Sequence, residues 1–197
     1  MGSNFQGLTL VVTKSVAIAP QPFGGIAESG HRHTDSVPAH SLVLVPRVQR
    51  EANVTWEGNV ARGSGAISAA TGAFDALPFS LASRVEKPDG KTSPEELLAA
   101  AHAACYAMSL AGELAGAGTP PDHLDVNATV TLDQVEDGSH RIVSSELLAR
   151  ARVTGTDQET LERLAQSASE GCPFTKLIEA SATVTVTATL EGDTHGD

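Results

Sequence analysis

The sequence predicts an α+β fold with a mostly antiparallel sheet packed around one long buried helix. Several stretches alternate apolar and polar residues, and the last of them, Ala182–Leu190, alternates Thr with Val almost strictly. Helix-start signals lie at Ser93 and Thr156, and a predicted hairpin, not a single strand, separates the two helices that they begin. The resulting order of strands, long helix, hairpin, helices and final strand is typical of α+β domains.

Residues 1–50 differ in composition from the rest of the chain. They contain clusters of Gly, Pro and His, and their four basic and two acidic residues sum to +2. The remaining residues carry 9 basic and 22 acidic side chains, which sum to −13. We expect an N-terminal extension over 1–50, either disordered or preceding the true start, and one domain over 51–197. The histidines of the extension are read as incidental, since such clusters are only a compositional hint of metal binding.

The first part of the domain is predicted to consist of strands. Apolar positions from Val54 to Val60 indicate a strand interrupted at Gly58, and Ala66–Ser68 indicates a second strand. We interpret Phe74–Arg84 as a further strand or hairpin arm. The Pro-Asp-Gly sequence within Lys87–Lys91 predicts a turn.

The strongest helix signal of the chain follows. Ser93–Glu96 offers Ser at the N-cap, Pro at the first helical position and Glu at the third, the pattern of a capping box. The predicted helix runs to about Ala117, where a glycine and two prolines stop it. Between Leu97 and Ala111 only His102 and Ser109 are clearly polar. We therefore expect the helix to be buried on every side, in a core or between subunits.

The second half of the domain is predicted as a hairpin, two helices and a strand. Val126–Leu132 alternates as a half-buried strand, Asp137–Gly138 forms the turn and Ile142–Val153 returns as the partner strand. Thr156–Glu159 resembles a second capping box and opens a helix to about Ser169.

The chain has two cysteines, Cys105 and Cys172. Cys105 lies inside the long apolar helix, where a structural role is the simpler interpretation. Cys172 precedes Pro173, which begins a short helix through Glu179, so the amide groups and dipole of that helix favour its thiolate. A thiol can act both as nucleophile and as two-electron redox centre. If the fold brings the two together, a thiol enzyme is the economical reading.

Bulk properties argue against several function classes. A net charge of −11 and an aromatic content of 4% argue against nucleic acid or an anionic membrane as partner. Two cysteines are too few for a disulfide-stapled secreted scaffold, and the first residues lack the basic region of a signal peptide. The longest apolar stretch, Leu97–Leu110, is too short to span a bilayer. We expect a cytoplasmic protein without cofactor or metal.

Three motifs resemble those of the OsmC/Ohr family, the osmotically inducible and organic-hydroperoxide-resistance peroxidases. Ser93–Cys105 is similar to the first family signature and Glu170–Pro173 to the second. Trp56–Asn59, followed by Gly63–Gly65, is similar to the OsmC branch. The resemblance covers about 51–190. It implies the OsmC-like fold, assembled as an intertwined homodimer with active sites at the interface.

The resemblance also implies roles for four residues. Cys105 matches the peroxidatic cysteine and Cys172 the resolving one. The position of Cys172 at a helix start had instead favoured Cys172 as the more reactive thiol. Arg84 matches the arginine that pairs with the reactive thiolate, and Glu95 the glutamate that partners this arginine. The implied substrates are hydroperoxides, usually organic, with hydrogen peroxide left open. The implied reductant is an external dithiol, either a lipoylated protein or a thioredoxin-like one.

Other functions remain open on the residues alone. The thiols could be structural or regulatory in a non-enzymatic, stress-induced binding or sensor module. His102, three residues before Cys105, could activate that thiol for acyl transfer. With Cys172 it could also form part of a zinc site, although a fourth ligand is not evident. We expect instead a buried His102 bonded to backbone, and we regard Arg62 as a weaker alternative to Arg84.

Overall fold

The computed structural model describes residues 48–191. The extension expected over 1–50 therefore lies almost wholly outside the described residues. The elements in chain order are β1 (Ala52–Glu57), β2 (Ser64–Ala69), β3 (Leu77–Phe79), α1 (Leu81–Val85), α2 (Pro94–Gly116), β4 (His123–Gln134), β5 (His140–Arg152), α3 (Gln158–Gly171), α4 (Pro173–Glu179) and β6 (Thr183–Leu190).

The strands form two three-stranded sheets, which confirms the α+β class. The first sheet has the order β1-β2-β3 and is antiparallel throughout. In the second sheet β4 and β5 form an antiparallel hairpin, and β6 pairs with β5 in parallel. The hairpin turns at Gly138, whose φ of 79° lies in the left-handed region that favours glycine. The mostly antiparallel arrangement is thus also confirmed.

The main core lies between the second sheet and the helices α2 and α3. Alternate residues of β5 face it, because successive side chains of a strand point to opposite faces. Every fourth residue of α2 faces it from the other side, because such residues share one face of a helix. The large apolar side chains that are fully buried there are Tyr106, Leu110, Leu114, Leu147 and Leu161.

Within residues 48–191 of one chain, the long helix α2 is buried on one face only. His102, Tyr106, Leu110 and Leu114 are buried, whereas Met108 on another face is 70% exposed. The described elements of the chain cover one side of the helix, and the apolar residues opposite have no cover from them. Residues 48–191 of one chain therefore do not achieve the burial on every side that the sequence predicts.

The length of α2 removes the argument that the longest apolar segment of the chain is too short to span a bilayer. With 23 residues and a mean hydropathy of 1.3 over its most apolar window, α2 meets the length and composition of a spanning helix. The apolar stretch Leu97–Leu110, on which the sequence argument rested, is shorter than the helix that contains it. What identifies α2 as a core helix is its packing against α3 and β4, with the polar side chain of His102 fully enclosed by the domain.

The first sheet contributes little to the main core. All six residues of β1 are exposed, and the sheet makes few contacts with α2 or the second sheet. Trp56 packs on Phe79 with ring centroids 5.4 Å apart. Within one chain, this sheet carries an apolar surface that no other described element covers.

Two local predictions need correction. In the stretch Phe74–Arg84 only Leu77–Phe79 is a strand, because Ser80 then starts α1 with a complete capping box to Ser83. Arg84 is therefore a helical residue.

The second correction concerns the start of α3. Its N-cap is Asp157, one residue after the predicted Thr156, and the Asp157 carboxylate accepts a hydrogen bond from the Thr160 amide at 2.8 Å. At α2 the predicted N-cap is right: Ser93 Oγ accepts from the Glu96 amide at 3.1 Å. A full capping box would also have the Glu96 carboxylate accept from the Ser93 amide. Here that carboxylate accepts from Thr92 Oγ1 instead, at 2.7 Å.

Candidate active site

The packing of α2 against the junction of α3 and α4 brings the two cysteines together. Cys172 ends α3 as its C-cap and precedes α4 as its N-cap, with Pro173 at the first helical position. Both thiols are free; Cys172 is fully buried and Cys105 half-buried. Cys105 packs against the buried cluster that contains Cys172, and each thiol affects the pKa of the other, so the two side chains are neighbours. Residues that are remote in sequence thus form one dithiol.

The two thiols differ in acidity. Burial raises the pKa of Cys105, and its hydrogen bond with Cys172 adds to this against a weaker effect of the Phe174 amide. Burial also opposes ionisation of Cys172. Hydrogen bonding from the Thr175 amide, from Cys105 and from the Thr175 hydroxyl outweighs burial and lowers the pKa of Cys172. In this structure the Cys172 side chain makes no capping hydrogen bond to α4.

Arg84 and Glu95 form an ion pair between α1 and the first turn of α2. Arg84 Nε donates to both carboxylate oxygens at 3.0 and 3.1 Å, and Nη2 donates to Oε1 at 2.5 Å. Burial opposes ionisation of Glu95, but the hydrogen bonds from Arg84 and others outweigh it and lower the pKa of Glu95. The hydrogen bond to Glu95 raises the pKa of Arg84. Both groups are charged at neutral pH, and the carboxylate fixes the orientation of the guanidinium.

The ion pair and the dithiol lie apart within one chain. Glu95 and Cys105 are ten residues apart on the same helix, and a rise of 1.5 Å per residue separates them by about 15 Å along its axis. Arg84 is not among the groups that shift the pKa of Cys105. The four residues therefore form two clusters. A single chain does not bring the guanidinium of Arg84 to the thiol of Cys105.

An apolar pocket opens beside Arg84. Its volume is about 250 Å³, and its wall is apolar except for a serine and the guanidinium. The lining residues are Trp56, Val60, Phe79, Ser80, Leu81, Arg84 and Pro94. Such a pocket suits a small ligand with an apolar body and one polar end. Sequence reasoning missed Phe79 and Leu81 as lining residues, because only the fold of the first sheet and α1 brings them to Arg84.

His102 is fully buried and bonded at both ring nitrogens. Nδ1 lies 2.8 Å from Ser145 Oγ, and Nε2 lies 3.0 Å from Thr175 Oγ1. Among the described hydrogen bonds, neither nitrogen is bonded to a cysteine, as the acyl-transfer alternative would require. The partners are side-chain hydroxyls, so the expectation of backbone partners is wrong. Burial lowers the pKa of His102.

Arg62 and a metal site are the remaining candidates from the sequence. Arg62 lies in the turn between β1 and β2, is exposed, and its amide donates to the side chain of Asn59 at 3.0 Å. In the part of the chain from 48 to 191, no three His, Cys, Asp or Glu side chains lie close enough to hold a metal ion.

The chain is similar to known proteins over most of the region that carries these clusters. The family model for OsmC-like protein matches residues 87–187. Peroxiredoxin OsmC of Escherichia coli (strain K12) is 36% identical over 137 residues, which cover 70% of this chain and 94% of that protein. The matched family region includes Glu95 and both cysteines, whereas Arg84 lies just before it.

Solved structures are similar in fold. The organic hydroperoxide resistance protein OhrB of Bacillus subtilis is 26% identical with a TM-score of 0.57, and the match covers 71% of this chain and 98% of that one. An organic hydroperoxide resistance protein OsmC from Legionella pneumophila is 20% identical with a TM-score of 0.56, over 73% and 99% of the two chains. At that identity the second likeness concerns the fold alone.

Proposed function

Because the chain belongs to the OsmC-like family, we propose that it is a cysteine-dependent peroxidase that reduces organic hydroperoxides to alcohols. The observation that carries the proposal is that the fold makes Cys105 and Cys172 neighbours, each of which affects the pKa of the other. Two free thiols in contact can reduce one peroxide and become one disulfide without any cofactor. A purely structural pair would have no need of surroundings that lower the pKa of one of its thiols.

The proposed reaction uses each sulfur once. The Cys105 thiolate attacks the terminal oxygen of the hydroperoxide, the O–O bond breaks, and the alkoxide takes a proton and leaves as the alcohol. Cys105 becomes a sulfenic acid. The Cys172 thiolate then attacks Cys105 Sγ, the S–S bond forms, the S–O bond breaks, and hydroxide leaves as water after taking a proton.

Accessibility, more than acidity, supports this division of labour. Cys172 is the more acidic thiol but is fully buried, whereas Cys105 is half-buried and open to a substrate. A low pKa suits a resolving cysteine, since only its thiolate attacks a sulfenic acid. Cys105 needs a nearby cation to lower its own pKa, because burial raises it. Arg84, oriented by Glu95, is the cation that we assign to this task.

The distance between the two clusters supports an intertwined homodimer. If Arg84 acts on Cys105, it has to come from a second copy, because about 15 Å separate the ion pair and the thiol along α2. The exposed apolar face of α2, including Met108, and the uncovered first sheet offer the surface for such an assembly. In this dimer each site combines the two cysteines of one chain with the Arg84–Glu95 pair of the other.

The pocket beside Arg84 supports an organic substrate. Its aromatic and aliphatic wall would bury the carbon body of a hydroperoxide while the guanidinium contacts the peroxide oxygens. Hydrogen peroxide would leave the same wall without a partner. We therefore expect organic hydroperoxides to react faster than hydrogen peroxide.

An external dithiol completes the proposed cycle. The chain has no third cysteine to reduce the Cys105–Cys172 disulfide, so a lipoylated or thioredoxin-like protein has to supply two electrons. A reducing compartment with such donors is the cytoplasm, where we place the protein.

Thiol counting tests the proposal. Reduced protein is mixed with one equivalent of cumene hydroperoxide, and free thiols and cumyl alcohol are measured. A peroxidase loses both thiols and yields one alcohol per chain. A binding or sensor module with structural thiols loses neither, and an acyl-transfer enzyme consumes an activated ester instead.

A further inference from the structure

A row of buried polar side chains continues from Cys172 into the core. His102, Ser145 and Thr175 have exposures of 0%, 0% and 1%. Ser145 Oγ lies 2.8 Å from His102 Nδ1, and His102 Nε2 lies 3.0 Å from Thr175 Oγ1. Cys172 is the N-cap of α4 and Thr175 is the third residue of that helix, so the two lie in the same helical turn, and the Thr175 hydroxyl favours the Cys172 thiolate and lowers its pKa. The row thus connects β5, α2 and α4 to the thiol at the helix junction.

The donors and acceptors in the row allow two arrangements of its hydrogen bonds. Burial keeps His102 neutral, and a neutral imidazole has one N–H donor and one acceptor nitrogen. In one arrangement Ser145 donates to Nδ1, Nε2–H donates to Thr175 Oγ1, and the Thr175 hydrogen is free to point at Cys172. In the other arrangement Nδ1–H donates to Ser145 and the Thr175 hydrogen is used on Nε2. Only the first leaves the Thr175 hydroxyl hydrogen free for the Cys172 thiolate.

We propose that His102 is a positioning residue for disulfide formation: its Nε2–H binds Thr175 Oγ1 and so directs the Thr175 hydroxyl hydrogen to the Cys172 thiolate. The inference rests on the proposed function for its catalytic consequence, and on the geometry alone for the hydrogen-bond arrangement. His102 touches neither the substrate nor a reacting sulfur. It acts through Thr175, which stabilises the attacking thiolate until the S–S bond forms and the hydroxide leaves as water.

The other titratable groups around the row do not compete for this role. Cys105 and Tyr106 on α2 and Glu179 on α4 are the groups whose charges act on His102 or interact with Cys172. Burial raises the pKa of Tyr106, and its hydroxyl donates to the Ala165 carbonyl at 3.2 Å, so it stays neutral. Glu179 favours a charged His102, but burial is the larger effect.

The first test measures the ionisation of Cys172 without any peroxide. In a Cys105→Ser background, Cys172 is the only thiol, and the pH dependence of its alkylation by iodoacetamide reports its ionisation midpoint. Thr175→Val should raise the midpoint by on the order of one pH unit, whereas Thr175→Ser, which keeps the hydroxyl, should not. His102→Leu should raise it similarly. His102→Gln, which can donate from a similar position, should restore much of the difference.

Coupling between the residues separates positioning from a merely structural role. Adding His102→Leu to Thr175→Val should raise the midpoint no further, because the hydroxyl through which His102 acts is gone. If His102→Leu lowers the melting temperature and leaves the midpoint unchanged, His102 is structural only and the proposal is wrong. Independent, additive shifts of the two variants would also overturn it.

A second measurement needs no substitution in the row. ¹⁵N NMR of the reduced protein distinguishes the two ring tautomers, with the His102 ring assigned by its contact with Thr175. Above the midpoint of Cys172 we expect Nε2 to carry the proton and Nδ1 to be bare; the reverse tautomer overturns the proposal even if the variants do not fold. Both readouts are independent of peroxide turnover, so a failure of the peroxidase proposal would be seen separately, by thiol counting.

Discussion

Arg84 and Cys105 are the two residues whose separation most constrains how this protein works. The guanidinium of Arg84 is bound to Glu95 by three hydrogen bonds of 2.5 to 3.1 Å. Cys105 lies ten residues further along the helix that carries Glu95, about 15 Å away along its axis. If Arg84 stabilises the Cys105 thiolate, as we propose, it does so from a second chain.

Subunit complementation tests this arrangement. Neither Arg84→Ala nor Cys105→Ser should turn over peroxide efficiently alone, but their mixed dimers contain one site with both residues intact. Co-refolding equal amounts should therefore restore about a quarter of the wild-type rate, since half of the dimers are mixed and each has one intact site. No recovery, despite dimers exchanging subunits, would mean that Arg84 acts within its own chain or not at all. A monomer in sedimentation at micromolar concentration would contradict the dimer itself.

Removing the cation should slow the first chemical step. Arg84→Ala should keep both thiols, raise the pKa of Cys105 and slow sulfenic acid formation by on the order of 10²-fold, the usual size of one electrostatic contact in a reaction site. Stopped-flow measurement of the first turnover checks the rate. Arg62→Ala is the matched control, because Arg62 is an exposed arginine of the β1–β2 turn. An equal loss in both variants would point to net charge and not to a specific contact.

The ion pair should also contribute to stability in a pH-dependent way. The folded-state pKa of Glu95 is lowered, so its contribution is present above the ordinary pKa of a glutamate and is lost as pH falls through the lowered value. Arg84 is partly exposed, which limits the contribution to about 1 kcal/mol or less. Urea unfolding should show Glu95→Gln less stable than wild type near pH 7, with the difference shrinking below about pH 4. Glu146→Gln, an exposed change on β5, is the control; an equal difference at both pH values for Glu95→Gln would refute the linkage.

The pocket beside Arg84 should discriminate between substrates. Trp56→Ala removes much of its apolar wall and should lower the reaction rate with cumene hydroperoxide by about tenfold, the effect of losing a modest apolar contact. The rate with hydrogen peroxide should change little, since that substrate makes no apolar contact. Leu177→Ala, at a residue that is 64% exposed on α4, serves as a surface control. Equal losses with both peroxides would show that the pocket does not bind the substrate body.

Local signals in the sequence were sufficient for most elements. The N-cap of α2 at Ser93 and the hairpin turn at Gly138 follow from residue chemistry within a few positions, and both are as predicted. The capping box of Ser80 and Ser83 was missed, although its signal is present, because the preceding Leu-Pro-Phe favoured a continued strand. Arg84 was thereby placed on a strand instead of a helix.

The arrangement of the site depends on contacts that no local pattern encodes. The meeting of Cys105 and Cys172 results from the packing of α2 on the α3–α4 junction, and only the family resemblance anticipated it. The partners of His102 come from β5 and α4, so their hydroxyls could not be paired with it beforehand. The apolar pattern around α2 predicted burial on every side, but the described residues of one chain cover only one face of the helix.

The division of labour between the cysteines is tested most directly by a single turnover of Cys172→Ser. This variant, mixed with one equivalent of cumene hydroperoxide, should reduce about one equivalent and stop with a sulfenic acid on Cys105, which dimedone traps and mass spectrometry locates. Cys105→Ser should reduce none. If Cys172→Ser loses the first turnover while Cys105→Ser keeps it and carries the dimedone adduct on Cys172, the more acidic thiol is the peroxidatic one and our assignment is reversed.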